Sequence, residues 1–152
     1  MKKLLNIFLV FALTIAMASC NDEWTEELYS HYVSFKAPLN SKGVTDVYIR
    51  YRDDSVSTYQ LPLIVSGTTT NPKDMNVKIS EDADSLNTLN YERFQNRIEL
   101  YFTQLADTLY TIPDYTTTIP AGSRQALLPI DFNLKGIDMF YKWVLPLTVV
   151  DE

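Results

Sequence analysis

The chain carries one cysteine, one histidine and four glycines in 152 residues, and its 13 Lys and Arg are outnumbered by 19 Asp and Glu. Each shortage excludes something. A single cysteine cannot form an intramolecular disulfide, so no disulfide framework staples the fold. The lone histidine, His31, falls in phase with Val33 and Phe35. There it reads as a packed or half-exposed strand-end residue, and a catalytic dyad or His-rich metal centre is excluded by inventory. Four glycines leave no Gly-rich phosphate loop. An acidic chain without a basic cluster is a poor ligand for nucleic acid, where Lys and Arg supply most of the affinity, and for anionic lipid. No apolar run reaches the roughly 20 residues needed to span a bilayer.

One shorter apolar run is present. Lys2 and Lys3 precede Leu4–Ala18, which is interrupted only by Asn6 and Thr14, and the small residues Ala18 and Ser19 lead into Cys20. This tripartite pattern is that of a signal peptide over 1–19. It assigns the solitary cysteine a role as the lipidated N-terminal residue of a lipoprotein. Two or three acyl chains anchor stably where one is marginal, at ~0.8 kcal/mol per buried methylene. Met17, where leucine is commonest, is a mild departure. Asp22, Glu23, Glu26 and Glu27 make 20–30 an acidic tether. Such a segment, charge-rich and without apolar periodicity, does not build a core. It resembles the acidic export signal of Bacteroidetes surface lipoproteins. That resemblance implies a lipid-anchored protein of the outer membrane, exposed at the cell surface. Removing 1–19 leaves 11 basic against 19 acidic side chains, a net charge of −8.

The roughly 120 residues that follow suit one domain, 31–152. Their dominant pattern is alternation, the signature of half-buried strands. His31, Val33, Phe35 and Ala37 share one face, with Tyr32, Ser34 and Lys36 on the other. After the turn residues of 38–43, Val47, Ile49 and Tyr51 alternate with Tyr48, Arg50 and Arg52. Tyr59, Leu61, Leu63 and Val65 predict a third strand, and Met75, Val77 and Ile79 a fourth. The middle departs from this rhythm. Capping-type residues at Asp84 or Ser85 precede Leu86, Leu89, Phe94, Ile98, Tyr101 and Leu105, which predicts a helical insertion near 85–106. Strands return at Thr116–Ile119, at Ala126–Phe132 and at Trp143–Val150. About seven short strands separated by turn signals predict a mainly β fold, an Ig-like β-sandwich. The Cys–Trp–Cys core of true immunoglobulin domains is absent. Leu61-Pro62-Leu63, Leu128-Pro129-Ile130 and Leu145-Pro146-Leu147 share a proline within a strand, which places such strands at sheet edges or bulges.

Tyr59–Gly67, Val77-Lys78-Ile79 with the acidic loop after it, Thr118-Ile119-Pro120-Ala121-Gly122 and Val144-Leu145-Pro146-Leu147-Thr148 carry a family resemblance. Together they resemble the N-terminal Ig-like domains of Bacteroidetes surface lipoproteins, catalogued as domains of unknown function. The resemblance implies a setting among polysaccharide-utilisation genes, often ahead of a lectin-like or glycoside-hydrolase domain. It supplies no catalytic residues. Relatives usually continue into a further domain, and this chain stops two residues after its last predicted strand.

No catalytic, cofactor or metal signature emerges. Glycoside hydrolysis needs two carboxylates flanking a bond at ~5–9 Å, a pairing that spacing alone does not show. Glu81, Asp82 and Asp84 lack the glycine and distal glutamate of an EF-hand loop and read as solvated. Aromatics are the enriched resource, with ten Tyr, seven Phe and two Trp. Most fall on inward faces and are core, Trp143 included. Three fall out of phase: Tyr32 and Tyr48 on polar faces, and Tyr115 in the loop after Pro113. These are the candidates for stacking on sugar rings, against the plainer reading of exposed tyrosines. The expectation is therefore a non-catalytic glycan-binding or spacer module, with the membrane, a polysaccharide or neighbouring surface lipoproteins as partners. The alternative is an adhesin-type interaction protein that pairs through an edge strand at Trp143–Val150.

Overall fold

Strand β2, Ser57–Ser66, organises the fold because Tyr59, Leu61, Leu63 and Val65 put an unbroken apolar row on one of its faces. In the computed structural model the described residues are 31–54 and 56–150. The expected signal peptide, Cys20 and the tether lie outside them. The architecture below is that of the unit formed by His31–Ser66 and Thr70 onward. Besides β2, it contains β1 (Tyr32–Phe35), β3 (Met75–Glu81), helix α1 (Ala83–Phe94), β4 (Thr103–Gln104), β5 (Tyr110–Thr111), β6 (Thr116–Ile119), β7 (Gln125–Phe132), β8 (Trp143–Val144) and β9 (Leu147–Val150). Two single-turn 3-10 segments, Ile98–Leu100 and Asp107–Leu109, complete it.

The strands form a four-stranded sheet, β1-β2-β7-β5, a three-stranded sheet, β6-β3-β9, and the pair β4-β8. All pairings are antiparallel except β4 with β8. Leu61 opposite Leu128 and Tyr59 opposite Ile130 align the apolar rows of β2 and β7. One hydrophobic cluster joins Leu63 and Leu128 of the first sheet to Ile79 and Ile119 of the second, all four fully buried. Two sheets closing over one core make the mainly β sandwich that alternation predicts. Each such side chain contributes about 1.5–3 kcal/mol on burial.

Several local expectations are revised. No strand forms among the described residues of 36–56. Around residues 40–44 the hydrogen bonds go to the segment's own turn and to α1. Asn40 Oδ1 accepts from the Lys42 N–H at 2.8 Å, the Asn40 N–H donates to the Val44 carbonyl at 2.7 Å, and Arg93 Nη1 donates to the Ser41 carbonyl at 2.9 Å. Gly43, at φ +83°, lets the loop lie against the helix, since a Cβ there would stand 3.0 Å from Leu89 Cδ1.

The helical insertion is shorter than 85–106. Asp82 caps α1, its carboxylate accepting from the Ser85 N–H at 3.0 Å and the Ser85 hydroxyl at 2.6 Å. Those two bonds hold its pKa below the ordinary value. The helix stops where Gln95 turns to φ +51°. The chain then folds back, so Phe94 meets Tyr101 and Phe102 at ring distances of 6.3 and 5.6 Å. The helical spacing of these aromatics therefore records a contact across a turn, not a continued helix.

The prolines are also placed differently. β2 lies between β1 and β7, so Pro62 is not on an edge strand. Its carbonyl accepts from the Lys36 N–H at 2.8 Å, on the β1 side, so its nitrogen faces that side too. Proline cannot return the reciprocal bond to Lys36, and β1 ends at Phe35, one residue before that position. Pro146 divides the expected final strand in two. β8 pairs with β4 and β9 with β3, and the Pro146 carbonyl accepts from the Asp82 N–H at 3.1 Å.

Candidate functional site

A groove of about 540 Å³ opens between the inner face of β2 and β7, helix α1, and the loops on either side of them. Leu86 and Leu89 of α1, Ile49 and Tyr51 of the 36–56 loop, and Met139 and Trp143 all line it. Its few polar lining residues include Thr45, Asp82 and Ser85. A concave, mostly apolar site with a few polar groups is the usual form of a small-molecule pocket. The alternation of Val47, Ile49 and Tyr51 is thus real in its facing, although no ladder forms: these three point to the groove.

At the groove's margin the chain presents three rings in sequence. Phe140 packs edge-on against Tyr141 at 5.9 Å and 88°, and Tyr141 against Trp143 at 5.4 Å and 57°. Asp138 holds this turn together. Its carboxylate accepts from the Phe140 N–H at 2.9 Å, and its carbonyl accepts from Trp143 Nε1 at 2.7 Å. Trp143 is half-buried against the core as expected, whereas Phe140 is 89 % exposed and Met139 69 %. A single exposed ring needs no explanation, but a contiguous set does. Alternation could not reveal it, because the 133–142 segment has none. The available signal was three consecutive large apolar residues, Met139-Phe140-Tyr141, in a loop.

A second, smaller cavity of about 240 Å³ lies where the 36–56 loop meets the start of β2. Tyr48, Arg50 and Arg52 line it from the loop, and Ser57, Thr58 and Tyr59 from the strand. The Ser57 hydroxyl donates to the Arg50 carbonyl at 2.7 Å, tying loop to strand. Tyr48 stands 95 % exposed.

The three candidate tyrosines sit on three separate elements. Tyr32 faces outward on β1, at the edge of the four-stranded sheet, its N–H donating to Ser66 Oγ at 3.3 Å. Tyr48 lines the smaller cavity. Tyr115 is half-buried just before β6, and its hydroxyl donates to Glu81 Oε1 at 2.6 Å. The buried Tyr110 donates to the same oxygen at 2.6 Å. The bond to Glu81, with burial, pushes the Tyr115 hydroxyl up to about 12. Burial first, and then Glu81, raises Tyr110 further. Glu81 thus joins β3 to β5 and to the approach to β6, while Asp82 caps α1. Among the described residues no group of three His, Cys, Asp or Glu is placed to hold a metal ion.

No curated protein matches this chain. Solved structures do, among them three Bacteroides proteins. A multidomain protein including DUF1735 from Bacteroides ovatus is 55 % identical, with a TM-score of 0.74, over 80 % of this chain and 41 % of that one. A protein of unknown function from the same organism is 43 % identical, with a TM-score of 0.70, over 86 % and 39 %. An auxiliary nutrient binding protein from Bacteroides thetaiotaomicron is 38 % identical, with a TM-score of 0.63, over 82 % and 41 %. The chain spans about two fifths of the length of these proteins, and none of the three is named for an enzymatic activity. They agree with the expected Bacteroidetes domain of unknown function. Residues 24–152 match the family model described as Domain of unknown function (DUF4973), and the chain belongs to that family.

Proposed function

We propose that the chain is a non-catalytic carbohydrate-binding module of a lipid-anchored surface protein. The observation that carries this reading is the contiguous ring series of exposed Phe140 and Tyr141 and half-buried Trp143 beside an apolar groove. Sugar rings present flat C–H faces that pack on aromatic rings, while neighbouring polar groups take their hydroxyls. The 38 % identical relative named as an auxiliary nutrient binding protein supports the same class of role. Tyr32, Tyr48 and Tyr115 are the further stacking candidates, and Cys20 carries the lipid that holds the module at the outer membrane.

The test is affinity electrophoresis of the purified protein through gels containing neutral and acidic polysaccharides. Retardation by at least one glycan, lost in Phe140→Ala and Tyr141→Ala, is expected. Parallel Tyr→Ala variants at 32, 48 and 115 then map the face. Absence of retardation on every glycan leaves a spacer role, lifting a neighbouring domain from the membrane.

A second reading rests on β9, which pairs with β3 on one side and forms an edge of its sheet. An edge strand of that kind accepts a strand from a partner. Concentration-dependent association in size exclusion is its expected outcome, and a strict monomer at high concentration removes it.

A further inference from the structure

We infer that the smaller cavity, formed by Tyr48, Arg50, Arg52 and the start of β2, is a subsite for a carboxylate-bearing sugar, a uronic acid unit within a longer glycan. The inference rests on the carbohydrate-binding reading and names the class of sugar. Three observations lead to it.

The first is charge. Basic side chains are the minority in this chain, yet two arginines line one small cavity. Among the described residues neither Arg50 nor Arg52 has an ion-pair partner. Two nearby carboxylates are hydrogen-bonded to hydroxyls: Asp131 of β7 accepts that of Thr58, on the cavity wall, at 2.5 Å, and Asp53 accepts that of Tyr51 at 3.3 Å. Arginine presents a planar fork that matches a carboxylate with two parallel N–H···O bonds.

The second is size. At about 240 Å³ the cavity falls below the ~300–1,000 Å³ of complete ligand sites. It holds one sugar ring and not a chain, which makes it a subsite.

The third is the mixture of groups. The Tyr48 ring is almost wholly exposed beside the arginines and offers a stacking face. The Ser57 bond to the Arg50 carbonyl fixes the loop backbone on β2, which sets both arginines beside the cavity. Stacking face, carboxylate fork and hydroxyl-bearing wall are what a charged pyranose requires, and a neutral sugar leaves both cations unanswered.

The experiment is affinity electrophoresis of the full protein on polygalacturonate, alginate, glucuronate-bearing xylan and hyaluronan. Fully methyl-esterified pectin is the neutral counterpart, and dextran sulfate controls for general attraction to polyanions. Retardation by a uronate polymer is expected, with none on the methyl ester. Arg50→Ala and Arg52→Ala, both on the surface and checked for folding by circular dichroism, should each weaken it by about tenfold, the scale of one charge-assisted hydrogen bond.

Equal retardation on the ester, equal retardation on dextran sulfate, or arginine variants that bind uronate polymers like the parent overturn the inference. Retardation by none of the uronate polymers overturns it as well. Should a neutral glycan then still retard the protein through Phe140 and Tyr141, the carbohydrate-binding reading stands while the uronate subsite falls.

Discussion

Asn90 is a buried side chain on α1 that faces the backbone of Phe102 and answers it as a strand would. Its Nδ2 donates to the Phe102 carbonyl at 2.9 Å, and its Oδ1 accepts the Phe102 N–H at 2.8 Å. Asn90→Ala orphans both of these buried groups, at ~1–3 kcal/mol each. Denaturant unfolding should show a loss of about 2–4 kcal/mol for that variant. The Glu81 carboxylate acts at the same scale, through pH. Tyr110 and Tyr115 both have hydroxyl pKa values raised above the ordinary 10.0. A raised pKa means the folded state retains protons that the unfolded chain has lost. The stability involved is complete below about pH 10 and falls as pH rises through the folded values, with Tyr115 ionising near 12. Absorbance titration near 295 nm should show two tyrosines resisting ionisation in the native protein. Glu81→Gln should return both toward the ordinary range, and unchanged titration would remove the clamp from the account.

At the scale of elements, helix α1 is bounded by two local devices of opposite quality. Asp82 is a good N-cap, and its carboxylate is favoured in ionised form by the two bonds from Ser85. That contribution is present above the unfolded pKa and fades as pH falls through the lowered folded one. Asp82→Ala should therefore speed hydrogen exchange at Ser85 and Leu86 at neutral pH and leave the strands unchanged. The other end is strained, since Gln95 at φ +51° and ψ −118° occupies a region that suits glycine. Gln95→Gly should stabilise the protein by about 1 kcal/mol, read as a shift in the denaturation midpoint at constant slope.

At the scale of the whole molecule, the proposed anchor before residue 31 is directly testable. If Cys20 carries the lipid, Cys20→Ala should abolish globomycin-sensitive processing and move the protein out of the membrane fraction. Unchanged fractionation would end that proposal. Protease shaving of intact cells separately tests exposure at the surface.

Alternation along Tyr59–Val65, Met75–Ile79 and Ala126–Phe132 was enough to determine a mainly β sandwich and its core rows. A face buried against a core must repeat every second residue, and no partner is needed to see it. The anchor read around Cys20 remains a proposal, and the pattern behind it was also local. Partner choice was not. Val47–Tyr51 alternates as well as any strand, yet it lines the margins of two cavities, because Asn40 closes the turn before it and Gly43 and Arg93 set that turn on α1. Pro62 lies inside a central strand because β1 ends beside it, a fact about another segment. Phe140 and Tyr141 became a surface only when Asp138 turned the chain and Trp143 anchored it. Arg50, Arg52 and Tyr48, already on one side in the sequence, acquired a cavity only when β2 supplied its wall. Periodicity records which way a side chain must face. What it faces is settled by contacts between residues far apart in the chain, and those exist only once the fold has closed.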